Sequence, residues 1–255
     1  MKGFIVALQF LTIFRIGKPV SVPEPRELSR SMAWFPVVGA LQGLILVVAY
    51  SVLKAFLPES VALASLIPVL LLTNGGLHLD GFADTIDGLA GGRDREDILR
   101  IMRDSSVGAI GAAGVTLIIL LKFLSLHELP SSDKAWAIFL FPVFGRWAMV
   151  PLAAFSGYAR PSGGLGEAFA GNTKGVLVMA TLLAVVLAAP FAGPFPVLIF
   201  ALLGVIIYMS SLYFKRKLGG VTGDVFGFHS EMAELLFLIG ALAIAGTRST
   251  GGIGI

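Results

Sequence analysis

The sequence predicts an all-α, polytopic membrane protein with about seven transmembrane helices and one further helix at the membrane surface. Hydrophobic residues make up 56% of its 255 positions and charged residues only 14%, whereas a soluble domain has about a quarter charged residues. The mean hydropathy of +0.88 agrees with this. The formal charge of +3 is too small to indicate nucleic-acid binding, and the lack of cysteine excludes disulfides and thiolate chemistry. We therefore expect the lipid bilayer to be a partner of this chain.

The N-terminal segment, residues 1–20, combines a basic residue with an apolar run, as a secretory signal does. No small-residue cleavage pattern follows, and Arg15 and Lys18 interrupt the run. We therefore predict an amphipathic helix that lies on the membrane or dips into it, rather than a signal that is removed.

Five apolar runs are long enough to cross about 30 Å of hydrocarbon. They cover residues 32–53, 107–126, 135–155, 176–192 and 195–214. Two weaker candidates are residues 61–73, which end at an Asn-Gly-Gly sequence, and residues 232–246, which begin beside Glu231 and Glu234. Helix ends with such polar motifs are tolerated where they are buried in protein around a site. With these two, the sequence predicts seven spans.

Basic residues alternate between the two sides of these spans. One side receives four groups, at positions 26 and 30, 93 to 103, 160 and 174, and 215 to 217. By the positive-inside rule this side is cytoplasmic. It also receives three polar segments, residues 78–104, 156–175 and 215–234, so polar groups far apart in sequence can share one cytoplasmic site. No repeat or long linker divides the chain, and we predict that residues 1–255 form a single membrane domain.

The segment from His78 to Asp104 carries 11 of the chain's 35 formal charges in 27 residues. Within it Asp80, Asp84 and Asp87 recur at spacings of four and three, so on an α-helix they lie within about 60° of one another. Three carboxylates on one face repel each other, and a hard cation such as magnesium or calcium relieves the repulsion. Apolar residues cover the other faces of this helix, and acids in such surroundings are usually functional. We predict a metal site there.

Four further residues are candidate substrate contacts. Positive-inside bias explains Arg93 and Arg103 equally well, but their position beside the carboxylates favours phosphate binding, because a guanidinium grips phosphate with two hydrogen bonds. Arg146 lies in the middle of a span and needs an anionic partner or substrate. His78 is either an ordinary membrane-interface residue or a substrate contact next to the first aspartate.

Four separate motifs, in order along nearly the whole chain, resemble those of the cobalamin synthases, the adenosylcobinamide-GDP ribazoletransferases. The longest contains the aspartate helix and reads GGLHLDGFADTIDGLAGGRDREDILRIMRDSSVGAIGA. The others are RSMAWFPVVGALQG, YARPSGGLGEAFAG and LGGVTGDVFGFHSEMAELL. A match at four separated motifs is far more specific than a single acidic helix.

The resemblance implies a multi-pass membrane enzyme that requires Mg²⁺. In this family a ribose hydroxyl of α-ribazole, or of its 5′-phosphate, attacks the phosphate attached to cobinamide in adenosylcobinamide-GDP and releases GMP. The aspartate helix would then hold the magnesium, and Arg93 or Arg103 would offset the remaining charge of the diphosphate. Asp104, Asp224 or Glu231 would take the proton of the attacking hydroxyl.

Two other functions stay open at this stage. Asp84-x-x-Asp87-Gly88 fits the start of the CDP-alcohol phosphotransferase pattern, but the later Gly-x3-Asp-x3-Asp is missing. An ion-coupled transporter would show repeated halves and acids near the middle of the bilayer. We expect neither in this chain, so the enzyme is favoured. A homo-oligomer is compatible with the sequence.

Overall fold

The computed structural model describes residues 2–16, 24–159, 174–191 and 195–250. Within them it is helical without a β-strand, apart from one isolated bridge between Tyr158 and Val221, so the predicted all-α class is confirmed. The helices are α1 (Lys2–Leu11), α2 (Pro25–Ser31), α3 (Phe35–Lys54), α4 (Glu59–Asn74), α5 (Leu77–Gly91), α6 (Arg95–Ile101), α7 (Ala109–Glu128), α8 (Ser131–Phe155), α9 (Lys174–Ala188), α10 (Phe195–Leu218) and α11 (Gly223–Thr250). A short 3₁₀ turn, Met32–Trp34, joins α2 to α3.

Five of the described helices are long and apolar enough to cross a membrane, and α4 with α5 forms a sixth candidate if the bent pair counts as one span. The polytopic architecture is confirmed, but the predicted number of seven is not. The difference lies partly in α9, whose 15 residues rise only about 22 Å. The N-terminal helix α1 is also short, and it buries Val6, Leu8 and Leu11 in the protein core.

The centre of the bundle is α8, which is buried along most of its length and packs against α3 and α11. Glycines allow the close approach of α3, because a Cβ atom at Gly39 or Gly43 would lie 2.6 Å from the carbonyl oxygen of Pro142 or 2.0 Å from that of Phe139. Small residues at helix contacts are typical of membrane bundles.

An elbow joins α4 to α5 at Gly75 and Gly76. Both residues have positive φ angles, +65° and +75°, which glycine adopts without steric cost. The two helices meet at 96°. The elbow therefore ends the weaker predicted span and starts the aspartate helix.

The last helix begins earlier than the sequence predicted. We expected a weaker span from residue 232, with Glu231 and Glu234 in its first turn. Instead α11 runs from Gly223, and both glutamates are buried in the helix. The two acids therefore lie about two and three turns inside the helix rather than at its start.

Candidate functional site

The three aspartates lie on one helix, as predicted, but they face different surroundings. All belong to α5, where Asp80 is exposed and Asp84 and Asp87 are half-buried. Asp80 borders an open groove of about 790 Å³, lined mainly by apolar residues of α4, α5 and α7. Asp80 therefore lies at the groove between α5 and α7.

Asp87 caps the N-terminus of α7. Its two carboxylate oxygens accept hydrogen bonds from the backbone N–H groups of Gly108 and Gly111, each at 2.7 Å. A Cβ atom at Gly111 would lie 2.2 Å from an Asp87 oxygen, so glycine makes room for the contact. The free N–H groups at a helix start attract an anion. This gives Asp87 a structural role that the sequence did not reveal.

The start of α11, which carries Asp224, touches the aspartate helix α5 through glycines. A Cβ atom at Gly81 would lie 2.8 Å from the Cα atom of Asp224, and one at Gly227 would lie 2.8 Å from the carbonyl oxygen of His78. The first turn of α11 thus crosses α5 with its backbone in direct contact. Gly81 follows Asp80 in α5, so the backbone of Asp224 lies within one helical turn of Asp80 and Asp84.

The arginines after α5 separate into two groups. Arg93 and Arg103 have exposed side chains and no ion pair with any residue that the structure describes, so they are available to an anionic ligand. Arg100 pairs with Asp97. Arg95 has a structural role, because its guanidinium donates to the carbonyl oxygens of Leu218 and Ala159, both at 2.7 Å.

The glycine-rich segment that the sequence placed at this site extends through residues 160–173, which lie outside the described residues. The residues before it lie next to the start of α11. Ala159 N–H donates to the carbonyl oxygen of Val221, and Val221 N–H donates to that of Gly157. Arg95 binds the same two chain segments. Residues 157–159, the end of α10 and the start of α11 are therefore held together.

Asp104 lies in an exposed turn after α6 and accepts a hydrogen bond from Ser106 N–H at 2.9 Å. This hydrogen bond lowers the pKa of the Asp104 carboxyl below its usual value. A carboxylate with a lowered pKa is a weaker proton acceptor. The lowered pKa therefore argues against Asp104 as the base.

Glu231 is held in a buried ion network inside the bundle. Lys122 of α7 contacts Glu231 at 2.5 Å and Glu234 at 2.6 Å, and Arg146 of α8 contacts Glu234 at 2.9 Å. Arg146 also donates to Gln42 of α3 and to Ser230. All four charged side chains are at most 6% exposed. We call Lys122, Arg146, Glu231 and Glu234 the interior network.

The sequence prediction missed Lys122, although a lysine within a membrane span is itself a signal that an acidic partner is near. Arg146 has the anionic partner that the sequence required, but this partner is Glu234 rather than a substrate. His78 also faces the interior, since it is 1% exposed and lies about 200° around α5 from Asp80. The structure therefore does not bring His78, Arg146 or Glu231 together with the three aspartates.

The donor chemistry of the site suits magnesium, because the available side-chain ligands are carboxylate oxygens. Among the described residues, however, no group of three or more His, Asp or Glu side chains is arranged to hold a metal. Magnesium commonly binds one or two carboxylates, completes its shell with water and substrate phosphate, and needs no cage of protein ligands. Asp80 and Asp84 fit this mode of binding.

The comparisons with known proteins agree with the resemblance noted in the sequence. The family model described as cobalamin-5-phosphate synthase matches residues 3–242. A relative from Geotalea daltonii, named adenosylcobinamide-GDP ribazoletransferase, is 39% identical over 96% of this chain and 99% of its own length. Proteins of the same name from Alkaliphilus metalliredigens and Pseudomonas putida are 38% and 39% identical over 96% and 94% of this chain and over 97% and 98% of their own lengths.

No solved structure matches this chain. The family model and the relatives nevertheless cover nearly the whole sequence, including α5 and the start of α11. The chain belongs to the cobalamin-5-phosphate synthase family.

Proposed function

We propose that this chain is the transferase that joins adenosylcobinamide-GDP to α-ribazole, or to α-ribazole 5′-phosphate, with Mg²⁺ as the metal. The names of its relatives support this reaction. The structural observation that supports the proposal is the contact of the Asp224 backbone with α5 at Gly81. It places the acidic start of α11 against the helix that carries Asp80 and Asp84, and two exposed arginines, Arg93 and Arg103, follow that helix in the sequence. A diphosphate substrate needs such a combination of metal ligands and cations.

The proposed reaction is one displacement at phosphorus. A ribose hydroxyl oxygen of α-ribazole forms a bond to the phosphorus attached to cobinamide. The bond from this phosphorus to the bridging oxygen breaks, and the oxygen leaves with its electron pair as part of GMP. The hydroxyl proton passes to a base on the protein. Catalysis of phosphoryl transfer rests mainly on positioning and charge stabilisation.

Asp80 and Asp84 are the residues that would hold the metal, and Asp87 would support them by fixing the end of α5 against α7. Bound magnesium would neutralise negative charge on the diphosphate oxygens. Arg93 and Arg103 would contact phosphate from the exposed side, where their side chains are available.

Asp224 is the base that we favour. It belongs to the first turn of α11 and lies beside the proposed metal ligands, whereas Glu231 is occupied by Lys122 in the interior. Asp104 is exposed, and its lowered pKa weakens it as a proton acceptor. The hydroxyl of Thr222 contacts Asp224 at 3.2 Å and would help to orient its carboxylate.

The site would face the cytoplasm. The arginines that follow α5 and the three basic residues at the end of α10 belong to the basic segments of the chain. Positive-inside bias assigns these segments to the cytoplasmic side. A cytoplasmic site also has access to both nucleotide-derived substrates.

Membranes that contain the wild-type protein should release GMP from adenosylcobinamide-GDP and α-ribazole only in the presence of Mg²⁺. Asp84→Asn should raise the Mg²⁺ concentration needed for half-maximal release and lower the rate, because it removes a charged ligand. Asp133→Asn is the matched control, since Asp133 lies at the start of α8 and contacts Trp136. No GMP release from wild type would refute the function, and an unaltered Mg²⁺ requirement in Asp84→Asn would refute the metal assignment.

One structural observation favours an ion-coupled transporter, because Glu231 and Glu234 are acids buried within a candidate span. Their charges are balanced by Lys122 and Arg146, however, so the network offers no net negative charge for a transported cation. Ion flux into sealed vesicles without GMP release would favour the transporter over the enzyme.

A further inference from the structure

The helix α11 links the candidate site to the interior network. Asp224 lies in its first turn, while Glu231 and Glu234 lie about two and three turns further along. Because these residues belong to one continuous helix, any constraint on the two glutamates also fixes the depth and rotation of Asp224. The relation of Asp224 to Asp80 and Asp84 therefore depends on what holds α11 in place.

The crossing of α5 and α11 is held by close backbone contacts and by apolar packing. Gly81 and Gly227 lie against backbone atoms of the neighbouring helix, and Phe82 of α5 stacks on Phe228 of α11 with ring centroids 5.4 Å apart. Apolar packing is non-directional, whereas an ion pair restricts the geometry of the groups that form it. A shift of α11 by one residue would rotate it by about 100° and translate it by about 1.5 Å.

The interior network supplies a directional constraint. Glu234 is bound from two sides, by Lys122 of α7 through one carboxylate oxygen and by Arg146 of α8 through the other. Arg146 extends the connection to Gln42 of α3, and Gln42 donates to Thr73 at the end of α4. A rotation of α11 would break both ion pairs and leave uncompensated charges in the bundle, which is strongly unfavourable.

We infer that Lys122, Arg146, Glu231 and Glu234 are positioning residues, which fix the register of α11 against α5 and so set the distance from Asp224 to Asp80 and Asp84. This inference rests on the proposed function, because it assigns the three aspartates to one site. The network acts through α11 and does not itself contact the substrate.

The test removes both ion pairs of Lys122 without leaving a net charge. In Lys122→Met/Glu231→Met, the pair of Arg146 and Glu234 stays intact and the charges stay balanced. Because the chain lacks cysteine, spin labels can be attached at Ala90→Cys on α5 and Gly223→Cys on α11. Ala90 is exposed, and a Cβ atom at Gly223 meets no atom within 4 Å. The distance between the labels, measured without substrate, reports the register directly.

We expect one narrow distance distribution in the otherwise unaltered protein and a shifted or broadened one in the double variant, which should keep a cooperative unfolding transition. GMP release should fall about a hundredfold in kcat with little change in KM, because small misplacements of reacting groups have effects of this size. Lys54→Met is the control, since it removes an exposed ion pair at the junction of α3 and α4, keeps the pair of Glu59 with Lys134 and should leave the distance unchanged.

An unchanged distance distribution in the double variant would overturn the inference. If the double variant does not fold, Lys122→Gln/Glu231→Gln is measured in its place, because it also removes both ion pairs of Lys122 but keeps side chains that can form hydrogen bonds, and an unchanged distance there has the same meaning. A changed distance in a protein whose wild type releases no GMP would support the register constraint and refute the proposed function. The two ideas can therefore fail separately.

Discussion

Asp87→Asn separates a helix cap from a metal ligand. In the structure the Asp87 carboxylate accepts two backbone hydrogen bonds at the start of α7, from Gly108 and Gly111. An asparagine side chain keeps one acceptor oxygen but turns an NH₂ group toward the other N–H. The substitution therefore loses one charge-assisted hydrogen bond and the favourable interaction of a negative charge with the helix N-terminus.

The expected loss of stability is about 2 kcal/mol, from the typical cost of losing an N-terminal cap and a hydrogen bond to a charged group. For a chain of this size that corresponds to a decrease in Tm of about 4–8 °C. The measurements are thermal unfolding in lipid nanodiscs and the Mg²⁺ dependence of GMP release. As a cap, Asp87 should lower Tm on substitution while the half-maximal Mg²⁺ concentration stays close to that of wild type.

The opposite pattern would refute this reasoning. If Asp87→Asn kept the wild-type Tm and raised the Mg²⁺ requirement as strongly as Asp84→Asn, Asp87 would be a metal ligand, as the sequence first predicted. Thr116→Val serves as a control on α7, because the Thr116 hydroxyl donates to Ala112 within the same helix and caps no helix start.

Two further predictions concern the crossing and the base. Gly81→Ala should reduce kcat for GMP release by about ten- to a hundredfold, because its Cβ would displace the backbone of Asp224. Gly223→Ala, which lies next to Asp224 on α11, meets open space and should retain activity. Equal activities of the two variants would contradict the importance of the contact. Asp104→Asn should leave the acidic limb of the pH–rate profile in place, because the hydrogen bond from Ser106 lowers the Asp104 pKa and keeps the carboxylate ionised above that lowered value. The hydrogen bond between the Asp104 carboxylate and Ser106 is lost only as the pH falls through the lowered pKa. If the acidic limb of the pH–rate profile disappeared in Asp104→Asn, Asp104 would be the base.

The sequence predicted α5 well because its signals are local. The spacing of Asp80, Asp84 and Asp87 and the Gly75-Gly76 pair lie within one short segment, and periodicity alone gives a helix with three acids on one face after a break. The role of Asp87 could not be predicted in this way, because it depends on Gly108 and Gly111, more than twenty residues later, packing against the same face.

The beginning of α11 shows a different limit. Hydropathy treats each segment separately, so the sequence predicted only a weak span from residue 232, with the costly charges of Glu231 and Glu234 in its first turn. In the folded protein their cost is offset by Lys122 and Arg146, which come from two other helices. The basic and acidic charges of the interior network cancel only between different helices, so the sequence does not reveal the cancellation until these helices are known to be neighbours.

The interior network also has a consequence for how the protein is made. The chain is synthesised from its N-terminus, so Lys122 and Arg146 enter the bilayer before α11 exists. Their acidic partners in the described structure, Glu231 and Glu234, arrive with this last helix. Until then Lys122 and Arg146 are held in an apolar bundle without these partners, which favours an intermediate whose helices are not yet fixed in their final packing. Insertion of α11 thus completes the charge balance of the interior network and brings the backbone of Asp224 against α5 in one step.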